Sequence, residues 1–375
     1  MIVRGRELPR WVDAGLIPVL NLLTALAVAS LVLLAIGESP LDCIRLIVLG
    51  AFGYGEGLGY TLFYATNFIF TGLAFALAFH AGLFNIGAEG QASIAGLGVA
   101  LVCLTLEGLP LPLLVVLAIL ASAAFGAAWG FVPGYLQAAR GSHIVITTIM
   151  FNFIASALIV YLLVNHLSPA GSMQPETRTF AESARLPKLH EAAAALGIHL
   201  PSSPLNLSFL WALLSAWLVS VLLWRTRLGF ELRTLGANPD AARYAGMRTV
   251  RLTTMAMAIS GGLAGCMALN EIMGSQHRMI LDYTSGYGFV GIAVALMGRS
   301  QPIGIILAAV LFGALYQGGA ELAFERPGVT RDMVLLIQGL IVLFAGALEH
   351  LYRPWLAALL APAAIRSRHA AGEGG

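Results

Sequence analysis

Charge is scarce in this chain. Asp, Glu, Lys and Arg make up 11% of its 375 residues, against roughly 25% in an ordinary soluble domain. Hydrophobic residues make up 58% and the mean hydropathy is +0.84, which excludes a water-soluble globule and predicts an all-α polytopic membrane protein. The net charge of +2 is spread over short arginine clusters and forms no single basic patch, so nucleic acid is excluded as a partner. Cysteine is nearly absent as well. Cys43, Cys103 and Cys266 are scattered without metal-ligand spacing and read as small apolar fillers. Enzyme signatures are missing: there is no HExxH, no GxSxG and no GxxxxGK[ST]. No acid, base, nucleophile or metal set converges on an intramembrane enzyme, and no phosphate loop binds ATP.

What the chain does contain is a series of apolar runs. After Arg4, Arg6 and Arg10, residues 16–36 are long enough to span and longer than a cleavable signal, so a retained first span is expected. Residues 41–60 carry Asp42, Arg45, Glu56 and several glycines, and are expected to lie on the outer surface or partly re-enter. Further runs fall at 61–79, 92–106, 111–132, 144–164, 207–224, 252–270, 303–320 and 333–350, with a short one at 289–297. Together they predict a single membrane domain over 1–375 with about ten transmembrane or re-entrant helices. Residues 80–98 and 286–304 are both glycine-rich interruptions, one in each half, which suggests two inverted five-helix halves.

Orientation follows from arginine. The segment 225–251 holds six arginines against two acids, which places it in the cytoplasm by the positive-inside rule. The loop 133–143, the tail 351–375 and the amino terminus are assigned to the same side, and the proline-rich insertion 165–206 to the outside. Within 225–251 a short helix is predicted. Asn238 can cap it, Pro239 suits its first position, Asp240 complements its positive end and Gly246 can close it. Ala241, Ala242 and Ala245 then form a small-residue face that another protein could approach.

Polar groups within hydrocarbon need partners or a wet cavity, so Asn85, Glu89, Gln91 and Asn152 are the candidate path residues. Two roles are open to Glu89: lining a solute path, or accepting backbone N–H groups freed where a helix is broken. Nearer the outside, Gln276, His277, Arg278, Asp282 and Tyr283 either meet an arriving solute or partner, or form a solvated loop.

Four stretches in order, GLFNIGAEGQ at 82–91, HIVITTIMFNFIA at 143–155, TRLGFELRTLGANPDAARYAGM at 226–247 and GFVGIAVALMGRSQPIG at 288–304, resemble one family. It is the permease subunits of bacterial ABC importers for branched-chain amino acids, simple sugars and nucleosides, and the chain looks most like the larger nucleoside-type permease. The resemblance implies a coupling helix, carried by Gly236, Asn238, Pro239, Asp240, Ala241, Ala242, Tyr244 and Gly246, that sits in a groove of a cytoplasmic ATPase. It also implies a second permease subunit, an extracytoplasmic solute-binding protein or lipoprotein, and a place in the plasma (inner) membrane with both termini cytoplasmic. This chain would bind no cofactor; ATP and Mg would belong to partner subunits. Nucleosides or simple sugars are the implied solutes. The competing reading is a secondary transporter driven by an ion gradient, with Glu89 as the proton or sodium site.

Overall fold

The computed structural model describes residues 16–340, apart from 36, 170, 196, 327, 331, 332 and 335, together with residue 343. In chain order the helices are α1 (Ile17–Ala35), α2 (Pro40–Phe52), α3 (Gly55–His80), α4 (Ala88–Thr105), α5 (Leu111–Arg140), α6 (Ile144–Leu162), α7 (Leu189–Ala194), α8 (Ser208–Arg225), α9 (Arg227–Ala237), α10 (Pro239–Tyr244), α11 (Thr249–Gly265), α12 (Tyr287–Met297) and α13 (Pro302–Glu325). π-Helical turns extend α6 through Leu163–Leu167 and follow α11 at Leu269–Gln276. The described residues form helices and loops, with two isolated β-bridges, Glu176 to Ile280 and Lys188 to Asn206.

Seven helical segments among the described residues are long and apolar enough to cross a bilayer, and Leu26–Ala35 and Tyr287–Met297 are shorter apolar helices. Most of the expected last span, 333–350, and the whole of the tail 351–375 lie outside the described residues, as do Arg4, Arg6 and Arg10.

One expected boundary is corrected. The segment 133–143, expected as a loop, is helical through Arg140, and Gly141 (φ +70°) ends α5 by donating to the Gln137 carbonyl at 3.1 Å. Pro133 removes one backbone donor, but hydrocarbon offers the remaining groups no other partner, so the helix continues through it. Residues 40–52 likewise form a helix, α2.

The described residues divide into two compact units, those within 1–45 and 322–375, and those within 46–321. In the first, the Arg326 guanidinium reaches Glu38 at 3.6 Å and Asp42 at 4.0 Å. In the second, α3 is the axis, with 83% of its apolar window buried against α8, α11 and α12. Phe68, Phe70, Leu73, Phe75 and Leu77 are fully enclosed. α5 and α11 cross where Gly126 meets Gly261, and a Cβ on either would overlap the other's carbonyl oxygen. Lipid gives no hydrophobic drive for helices to associate, so close backbone approach through small residues supplies the packing.

The insertion 165–206 caps one end of this unit. Thr177 N donates to Met279 O (2.9 Å) and Phe180 N to His277 O (2.8 Å), while Arg278 pairs with Glu176 (2.9 Å) and Arg178 with Glu107 (3.0 Å). The 276–283 stretch is therefore no plain solvated loop. Met279 and Tyr283 are buried, and the Tyr283 hydroxyl donates to the Ala92 carbonyl.

Candidate functional site

α3 ends at His80, beside Gly236 of the arginine-rich segment. The chain then turns back without helix through 83–86, and α4 begins at Ala88, partway along the unit, and runs to the end where Glu107 meets Arg178. α12 begins after the capped 277–286 stretch and runs the other way, to Gly298; nearby, the Ser300 carbonyl is 3.0 Å from His80 Nε2. At 1.5 Å rise per residue α12 covers only about 16 Å, so its N-terminus lies near mid-depth of a ~30 Å hydrocarbon layer. There the two N-termini meet.

Glu89 joins them. Its Oε1 accepts from Gly286 N at 2.9 Å and its Oε2 from Gly288 N at 2.8 Å. The first N–H groups of a helix have no partner within it, and the helix end is positive, so a carboxylate answers both needs. Asn152, from α6, braces the other side of the same break: its Oδ1 accepts from Gly90 N (2.9 Å) and its Nδ2 donates to Ile86 O (3.0 Å). Beside these two residues lies a cavity of ≈ 210 Å³, lined also by Tyr283, Thr284 and Phe289 among others.

Asn85 and Gln91 are elsewhere. They are 0% and 1% exposed and bond each other, with Asn85 Nδ2 donating to Gln91 Oε1 (3.0 Å) and to Ser260 Oγ (2.8 Å). Ser260 in turn donates to the Ala74 carbonyl of α3 at 2.6 Å. These two side chains stitch the broken segment to α3 and α11, while Glu89 and Asn152 reach a cavity.

A second polar cluster was not anticipated from the sequence. Asn67 Nδ2 donates to Glu271 Oε1 at 2.6 Å, and Asn270 Nδ2 donates to Asn67 Oδ1 at 2.8 Å. Asn206 Nδ2 and Ser208 Oγ both donate to Asn270 Oδ1, at 2.9 Å each. The expected span ended at residue 270, one short of Glu271, and the π-helical turn Leu269–Gln276 carries the buried segment past it. A carboxylate continuing an apolar run was the available signal. Among the described residues no group of three or more His, Cys, Asp or Glu is placed to hold a metal ion.

At the arginine-bearing end, 225–251 folds as two helices rather than one. Thr226 caps α9 by accepting from Gly229 N (3.1 Å). Asn238 caps α10 by accepting from Asp240 N and Ala241 N, both at 3.0 Å, and Gly246 follows α10 with φ +78°. α9 is seated by Leu232 and Leu235, packed in one cluster with Leu77, Leu83, Ile144 and Leu252. A Cβ on Gly236 would overlap the His80 carbonyl, and the Arg233 guanidinium lies 4.4 Å over the Trp224 ring, which meets His80 edge-on. The expected three-alanine face is corrected. Ala242 is fully buried against its own chain, because the capped helix lies on α9; Ala241 and Ala245 remain exposed, with Tyr244 between them at 93% exposure.

Residues 57–346 match the family described as the permease component of the branched-chain amino acid transport system. The chain is similar to a glucose ABC transporter permease protein of Haloferax volcanii, 34% identical over 90% of this chain and 88% of that one. It is also similar to a guanosine ABC transporter permease protein of Bacillus subtilis, 34% identical over 88% of this chain and 93% of that one. A nucleoside ABC transporter permease protein of Lactococcus lactis is 30% identical, over 88% of this chain and 90% of its own length.

Proposed function

The chain belongs to the permease components of the branched-chain amino acid transport family, and from that premise we propose that its solutes are nucleosides or simple sugars and that α10 couples it to its ATPase. As a member of that family it is a multi-pass transport subunit of an ABC importer and not an enzyme; hydrolysis of ATP with Mg belongs to its ATPase partner. The solute class rests on relatives named for guanosine, nucleosides and glucose. In this reading the arginine-bearing end faces the cytoplasm, both termini lie there, and the insertion 165–206 faces a solute-binding protein outside the plasma (inner) membrane. A second permease subunit completes the path. About ten segments in two inverted halves accord with α4 and α12, which start at mid-depth and run in opposite directions.

The observation that carries the coupling reading is the tie from α10 to the helix break. α10 is capped on α9, Gly236 of α9 lies on His80 and Gly82, and that contact opens directly into the segment leading to Glu89. A push on the exposed Ala241, Tyr244 and Ala245 surface therefore reaches the α4–α12 junction through packed backbone. The ion-driven alternative is not favoured: the family is ATP-driven, and both Glu89 oxygens are engaged by backbone N–H groups.

The test is co-purification in mild detergent with the ATPase, comparing the intact chain with Tyr244→Ala and Ala241→Trp. Loss of the ATPase from variants with unchanged thermal unfolding is the expected result. Full retention by both variants, with solute import unchanged, sinks α10 as the coupling helix.

A further inference from the structure

The cavity beside Glu89 has walls that the coupling reading leaves unassigned. Besides Glu89 it is lined by Ser93, Ser156 and Asp282, and by two aromatic rings, Phe153 and Phe289. Phe153 is 67% and Phe289 46% exposed, and Ser156 and Asp282 are exposed too. Glu89 and Ser93 are bonded within the chain, but Asp282 at the mouth is an exposed carboxylate beside the exposed Ser156, and an ionised group facing hydrocarbon is costly, so the mouth of the cavity meets water. Ser156 lies three residues along α6 from Phe153 and four from Asn152, on the same side of the helix.

The chemistry of the walls selects a solute. Two exposed rings offer flat faces on which a planar heterocycle stacks. Serine hydroxyls and carboxylate oxygens accept hydrogen bonds from sugar hydroxyls. Glu89 and Asp282 give the cavity a negative character that opposes phosphorylated solutes. Its volume, ≈ 210 Å³, is below the roughly 300–1,000 Å³ of sites that enclose a drug-sized ligand. It therefore grips one end of a solute and releases it, which suits transit better than storage.

We infer that this cavity is a transit site for an unphosphorylated nucleoside, with Phe153 and Phe289 flanking the base and Ser93, Ser156 and Asp282 receiving sugar hydroxyls. The inference rests on the importer reading above and names the solute class and residues of its path.

The experiment uses the assembled complex carrying Ser156→Cys. The three native cysteines are buried, so background labelling is low. A water-soluble thiol reagent should label the introduced cysteine, and millimolar guanosine should slow labelling at least threefold, while glucose and guanosine monophosphate should not. Phe153→Ala should raise the KM for nucleoside import at least tenfold, and Phe153→Tyr, which keeps the ring, should retain it. If the intact complex imports guanosine but the cysteine is unreactive or unprotected, the transit site is wrong and the importer reading stands. Protection by glucose and not guanosine overturns the solute class. An intact complex that imports neither solute overturns the underlying reading and the inference with it.

Discussion

Glu89 shows how one side chain holds a broken helix together. A carboxylate at mid-depth would be expensive alone, but here, from the first turn of α4, it accepts twice at the N-terminus of α12, through Gly286 N and Gly288 N. Charged hydrogen bonds of this kind are worth about 1.5–3 kcal/mol each. Glu89→Gln leaves one amide oxygen to serve two donors, so we expect a lower thermal unfolding midpoint in detergent and slower import. Import by the intact complex in proteoliposomes loaded with ATP should be indifferent to proton or sodium gradients. A requirement for either gradient, abolished by Glu89→Gln, would restore the ion-driven reading. Asn152 supports the same break with one acceptor and one donor, which is why an asparagine and not an aliphatic residue occupies that turn of α6.

Among the elements, α10 is six residues long and depends on its cap. Asn238→Ala removes the acceptor for Asp240 N and Ala241 N, at a cost of about 1 kcal/mol. The expected outcome is weaker ATPase co-purification with an unchanged midpoint for the membrane helices; a wild-type affinity would mean that α10 stays ordered without its cap. The α5–α11 crossing makes the opposite demand. Gly126→Leu places a side chain against the Gly261 carbonyl, and overpacking of that kind costs about 1–3 kcal/mol or more. Reduced yield and a midpoint lowered by several degrees are expected, and a stable, active Gly126→Leu complex would show that the crossing can open.

On the scale of the whole molecule, the insertion and the 277–280 stretch close one end across about a hundred residues of sequence. His277 is held there with its Nδ1 3.1 Å from the Met273 carbonyl, and burial, reinforced by the Arg185 and Lys188 charges, pushes its imidazole pKa below the ordinary value of 6.5. Because the folded state favours the neutral ring, the contribution is fully present above about pH 6.5 and is lost as pH falls through the lowered folded value. Limited proteolysis of the insertion should accelerate as pH falls from 7 toward 5, and His277→Gln should flatten that profile. A pH-independent cleavage rate in the intact chain would remove His277 from this role.

The membrane class, the spans that lie among the described residues, the Asn238 cap and the family were legible in the sequence, because hydropathy and capping chemistry act over neighbouring residues. So was the pairing of Glu89 with freed backbone donors, as one of two roles open to it. Glu271 and its asparagine partners, the continuation of α5 through Pro133 and the burial of Ala242 were not. Each depends on which distant backbone lies alongside: Asn67 is 204 residues from Glu271, and the face of α10 that is covered is set by where α9 packs. Local sequence determines that a polar group in hydrocarbon must find a partner. Only the tertiary structure decides which partner it finds and which groups are left facing a cavity.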